Sequence, residues 1–91
     1  MTDPADLDQQ AWDARDQLQQ VRRAVVELTR DYARLDPSIV DVDELGEPAD
    51  AAAVVESVRA GLLDLTNALT MADDAFDVVT RYGSRLKRRN T

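Results

Sequence analysis

The chain has 91 residues, of which 44% are hydrophobic, four are aromatic, and none is cysteine or histidine. That length holds one domain. The missing cysteine excludes a disulfide framework and thiolate metal sites, and the missing histidine removes the usual general base near neutral pH and the commonest metal ligand. The net charge of −7 conceals a split, because all 18 acids precede residue 81 while residues 81–91 hold five basic residues and no acid.

A first helix is predicted over about residues 4–35. Thr2 or Asp3 can cap it, Pro4 suits its first turn, and Asp6 and Asp8 suit the positive end of its dipole. Leu7, Ala11, Ala14, Leu18, Val21, Val25, Leu28, Tyr32 and Leu35 follow an unbroken 4-3-4-3 spacing. An apolar residue every 3.5 positions keeps one seam on one side of a helix, and that seam needs a helical partner. Asp36-Pro37 ends the run, since the residue before proline is pushed out of the α region.

Residues 36–48 form the predicted linker. Ile39, Val40, Val42 and Leu45 are too apolar for a fully solvated loop. They are expected to fold back over one end of the helices, with a helical turn near Val42–Leu45. Asp41, Asp43 and Gly46 match positions 1, 3 and 6 of an EF-hand loop, but Leu45 and Ala52 stand where later ligands belong. The match is read as an acidic linker, and no metal site is assigned.

A second helix is predicted over about residues 49–88, opened by Gly46-Glu47-Pro48 and closed by cations. Ala51, Val55, Val58, Leu62, Leu65, Leu69, Ala72, Phe76, Val79, Gly83 and Leu86 repeat the heptad ladder. With Val55 at heptad position a, Val54, Gly61, Ala68, Ala75 and Tyr82 all fall at g, where a two-stranded coil carries charge. Leu63 and Val78 lie outside both stripes, and on the first helix Trp12, Val26 and Ala33 share position b. One seam cannot cover all of these. Gly61 costs about 1 kcal/mol against alanine inside a helix, which a close helix contact would offset.

The fold class is therefore all-α. The expected architecture is an antiparallel hairpin of two long heptad-patterned helices in a single domain over 1–91, completed to a four-helix bundle by dimerisation. Setting Leu35 beside Val55 brings Leu7 beside Gly83. Asp3, Asp6 and Asp8 are then expected to face Arg85, Lys87 and Arg88.

No constellation supports catalysis. Asp73, Asp74 and Asp77 fall at e, f and b and are read as a solvated face. The three serines have no histidine base, and no glycine-rich phosphate cradle exists. Neither an enzyme activity nor a cofactor is assigned. The expected function is a non-catalytic protein–protein interaction module, such as an adaptor, small chaperone or assembly subunit. Its partner is a second copy or another helical protein. Trp12, Val26, Val54, Gly61, Ala68, Ala75 and Tyr82 are the candidate contact residues.

Arg85, Lys87, Arg88 and Arg89 are candidate anion contacts, and a nucleic-acid accessory role is a further alternative. The acidic remainder of the chain disfavours it. The longest wholly apolar run, Ala51–Val55, is too short to span a membrane. No signal-peptide pattern opens the chain, so the expected location is cytoplasmic, with signal-less secretion left open. The excess of arginine over lysine, with much Ala, Val and Asp, points to a GC-rich bacterial genome.

In length and helix placement the chain resembles the WXG100 group of type VII secretion substrates, which are small dimerising helical hairpins. The resemblance implies a small secreted hairpin as the alternative function. The motifs depart from it. The linker has no tryptophan for a Trp-x-Gly turn. Tyr82 is followed four residues later by Leu86 in place of an acid, and the one Tyr-x-x-x-Asp string, Tyr32 to Asp36, ends the first helix. No residue role is carried over.

Overall fold

The computed structural model describes residues 3–43 and 50–89. Helix α1 spans Pro4–Arg34 and helix α2 spans Ala51–Gly83, and the two pack antiparallel as a hairpin with no strand among the described residues. At about 1.5 Å per residue each helix is close to 50 Å long.

Local chemistry sets most of the helix ends. Asp3 is extended and its Oδ1 accepts a hydrogen bond from the Ala5 N–H at 3.0 Å, with Pro4 in the first turn. This is the side-chain cap that a helix start needs for its orphan donors. At the other end Leu35 is extended, ahead of Asp36-Pro37. The last carbonyls of α1 are satisfied from α2. Arg59 donates to the Tyr32 oxygen from Nε at 3.0 Å and from Nη2 at 2.8 Å, and Nη2 also reaches the oxygens of Ala33 and Leu35. One guanidinium therefore caps α1 and ties the two helices together.

Helix α2 stops at Gly83, short of the Arg88 expected from the sequence. Glycine and serine at 83 and 84 are weak helix formers, and Arg85, Lys87, Arg88 and Arg89 crowd like charges together. Residues 86–89 are irregular and exposed. The expected pairing of Asp3, Asp6 and Asp8 with Arg85, Lys87 and Arg88 does not occur. The ion pairs among the described residues lie elsewhere.

The linker begins with a 3-10 turn at Pro37–Ile39 that packs back on α2, in line with the expected fold-back; the helical turn expected near Val42–Leu45 runs beyond the described residues. Asp36 nucleates the 3-10 turn by accepting from the Ser38 N–H at 2.9 Å. That hydrogen bond holds the Asp36 carboxyl below the usual carboxylate range. Ile39 is exposed and caps nothing, while Val40 and Val42 are half-buried. The expectations for Leu45, Gly46, Glu47 and Pro48 lie outside the described residues.

The core is thin. Among the described residues Val25, Val55 and Leu62 are the buried hydrophobic ones, and no large side chain is fully buried. All three sit at heptad position a. Around a helix the positions run in the order d, a, e, b, so an a-centred contact can lean either way. Here it leans to e: Asp8, Arg15 and Arg22 on α1 and Arg59, Thr66, Asp73 and Thr80 on α2 are half-buried or buried. The d positions Leu7, Val21, Leu28, Leu65 and Val79 stay exposed. The expected a/d seam is thus only half covered by the hairpin itself.

The molecule is one helix layer thick. It measures 69 × 24 × 15 Å with a radius of gyration of 20.3 Å, against about 12 Å for a compact domain of this length. It exposes 7469 Å², where a compact monomer of this mass exposes about 5,300 Å².

Candidate helix-binding edge

The two long edges of the hairpin differ in chemistry. The edge on the e side is zipped by polar groups. Asp73 of α2 accepts from Gln19 Nε2 at 2.7 Å and from Arg15 Nε at 3.3 Å, and Arg22 Nη1 lies 3.3 Å from its other oxygen. Arg15 also donates to the Thr80 hydroxyl at 3.2 Å and approaches Asp77 at 3.9 Å. Thr80 is buried, and its hydroxyl donates back to the Phe76 carbonyl at 3.0 Å. These groups are shielded enough that the charge-assisted bonds outweigh an ordinary surface pair. The Arg15 guanidinium also stacks over the Trp12 ring, 5.6 Å from its centroid, within cation–π range.

This network corrects one reading of the sequence. Asp73 is no part of a solvated face; it is the centre of the inter-helix contact. Asp77 is half-buried beside Arg15, and Asp74 alone of the three is exposed. The spacing held a signal: Arg15 and Asp73 both occupy e, and an antiparallel register brings them almost level.

Among the described residues the opposite edge carries no such zip. In an antiparallel pair the same heptad letters fall on the same side, so the d positions of both helices and the g positions of α2 share it. Leu7 is 52% exposed, Leu65 42%, Val79 53% and Tyr82 56%. Val21, Leu28, Val54 and Leu86 are exposed beside them. A groove of about 160 Å³ between Leu7, Ala11, Val79, Gly83 and Leu86 confirms that α1 and α2 open onto one face there. A Cβ built on Gly61 meets nothing within 4 Å, so no contact inside the hairpin accounts for glycine at that position.

The candidate contact residues divide between the two edges. Val54, Gly61, Ala68, Ala75 and Tyr82 are all exposed on the apolar edge, together with Leu65 and Val79. Trp12 and Val26 are exposed too, but at position b on the polar side. Trp12 is engaged by Arg15, and Val26 borders a hollow shared with Arg22, Thr66 and Leu69. They do not join the stripe. Arg85, Lys87, Arg88 and Arg89 lie exposed beyond the end of α2. Arg59 was not singled out by pattern, because its capping role depends on where the linker sets it against the end of α1.

Among the described residues no group of three or more acidic residues is placed to hold a metal ion, and no helix is long and apolar enough to cross a membrane. No family model matches the chain, and no curated protein or solved structure matches it either. The likeness to the WXG100 group therefore rests on layout.

Proposed function

We propose that this protein is a non-catalytic helical interaction module, an adaptor, small chaperone or assembly subunit, that works by completing a four-helix bundle with further helices. The observation that carries the reading is the uncovered apolar edge. In a four-helix bundle each helix has one neighbour on its e side and another on its g side, with a and d pointing at the axis. The hairpin supplies the e-side neighbour to both helices and leaves the d/g side bare. Excess exposed surface and a one-layer shape support the same reading, since a stable domain packs at least two layers. The partner is a second copy or another helical protein.

Stability of the isolated chain tests it. A hairpin with an interface for an edge is marginal alone, and its melting temperature climbs with protein concentration or with added partner. A cooperative, heat-resistant monomer with the same melting temperature at every concentration contradicts the reading. The secreted-hairpin alternative is favoured only by the two-helix layout. It predicts the chain in the culture medium of its native host.

A further inference from the structure

We propose that the open edge is covered by a second copy of this chain, related by a two-fold axis that crosses the helices at the level of Ala24 and Ala68. The proposal rests on the reading of that edge as an interface, and it adds the partner and the geometry.

The sizes along α2 carry it first. The g positions read Val54, Gly61, Ala68, Ala75, Tyr82, small in the middle and large at the ends. A second α2 laid antiparallel about Ala68 sets Gly61 against Ala75 of the second copy and Val54 against its Tyr82. The d positions come level in pairs as well, Leu65 with Ala72 of the second copy and Val58 with its Val79. An isologous contact needs this self-complementarity, because each residue is met by its mirror position on the same surface.

On α1 the same axis falls at Ala24, flanked at g by the polar Gln17 and Asp31. There Ala14 meets Leu35 of the second copy and Val21 meets its Leu28. On the flank of α1 Asp13 comes level with Arg34 of the second copy. Glu27 faces Gln20, so no like charges oppose one another along the overlapping helices. An axis parallel to the helices would instead set Glu27 level with Asp64 of the second copy.

The register of the hairpin sets the two centres level. Arg59 reaches the Tyr32 carbonyl, and a Cβ on Gly83 would lie 3.3 Å from the Asp8 carboxylate. Counting inward from these two contacts brings Ala24 beside Ala68 to within a residue. One axis therefore serves both helices, although nothing inside a single hairpin requires the two centres to be level. The edge exposes Leu7, Val21, Leu28, Val54, Leu65, Val79 and Tyr82, and a standard interface takes about 800 Å² from each partner.

The chain has no cysteine, so single thiols report the geometry in the full-length protein. Ala68 and Tyr82 are both exposed in the hairpin, and circular dichroism checks that each variant keeps its helicity. The unmodified chain is expected to have twice its 10.1 kDa mass in solution. Under mild oxidation Ala68→Cys is expected to form a disulfide-linked dimer at least an order of magnitude faster than Tyr82→Cys, whose two copies stand about 40 Å apart in this arrangement. Mixing Val54→Cys with Tyr82→Cys is expected to give the crossed dimer. Equal linking rates for Ala68→Cys and Tyr82→Cys overturn the axis. A monomer at tens of micromolar overturns the second copy; if it melts easily and is stabilised by another partner, the interface reading survives, and if it resists heat at every dilution, both fall.

Discussion

Replacing Gly61 with alanine gives opposite outcomes for a bare edge and a covered one. In the hairpin a Cβ at this position meets nothing within 4 Å, and glycine inside a helix costs about 1 kcal/mol against alanine. For a bare edge, Gly61→Ala is therefore expected to stabilise by nearly that amount, raising the melting temperature by roughly 4–8 °C for a domain of this size. In a bundle the glycine lies where a neighbouring helix approaches, and an added methyl there costs about 1–3 kcal/mol through overpacking. Both effects occur once per chain, so the overpacking loss of about 1–3 kcal/mol cancels or exceeds the propensity gain of about 1 kcal/mol. The assay is thermal unfolding by circular dichroism across a wide protein dilution series, with mass by light scattering at each concentration. The expected result is a gain in melting temperature at high dilution, lost or reversed when concentrated, with weaker association. The same gain at every concentration, with unchanged mass, refutes the close approach at Gly61.

Other consequences follow from the polar edge and the helix ends. Asp73→Ala removes the carboxylate shared by Arg15 and Arg22 and leaves Arg15 only the more distant Asp77, and it is expected to cost about 1–2 kcal/mol after allowance for partial exposure. A urea titration measures this, and a double-mutant cycle with Arg15→Ala is expected to show coupling; independent, additive effects contradict the network. Arg59→Lys is expected to destabilise almost as much as Arg59→Ala, because an ammonium cannot reproduce a fork across three carbonyls; full rescue by lysine would show that charge alone matters. Asp36 has a carboxyl pKa lowered by its hydrogen bond to the Ser38 N–H. Its contribution is therefore present above the ordinary value of 3.8 and is lost as pH falls through the depressed one. An NMR titration of that carboxyl in wild type and in Ser38→Pro, which lacks the donor, is expected to show the depression only in the former.

Much of the architecture is legible in the pattern of the chain. The 4-3-4-3 ladders, the Asp3-Pro4 start and the Asp36-Pro37 stop follow from side-chain period and backbone sterics, and they are enough to give a two-helix hairpin. The side on which the helices meet is not legible from period alone. Positions d and e flank a equally, and both a/d and a/e are 3.5-residue ladders. The choice of e is made by pairs far apart in the chain, Arg15 with Asp73 and Arg59 with the Tyr32 carbonyl, which are apparent only once the register is known. For the same reason Asp73 reads as an outward acid, and Trp12 and Val26 read as part of an interface stripe from which the polar edge separates them. The g stripe from Val54 to Tyr82 was readable because small and apolar residues there contradict what a two-stranded coil requires. The early end of α2 rests on local terms, the glycine–serine pair and crowded arginines, that a run of heptad positions ending at Leu86 obscured.

The bare d/g edge is proposed to be an interface. The most direct measurement is solution mass by light scattering after size exclusion, for the wild type and for Ala68→Arg, followed by thermal unfolding of both. The wild type is expected to have twice the 10.1 kDa chain mass. Ala68→Arg, with a charge in the middle of the edge, is expected to fall to the chain mass and to melt at a lower temperature. Chain mass for both proteins, with the same concentration-independent melting temperature, would contradict that proposal.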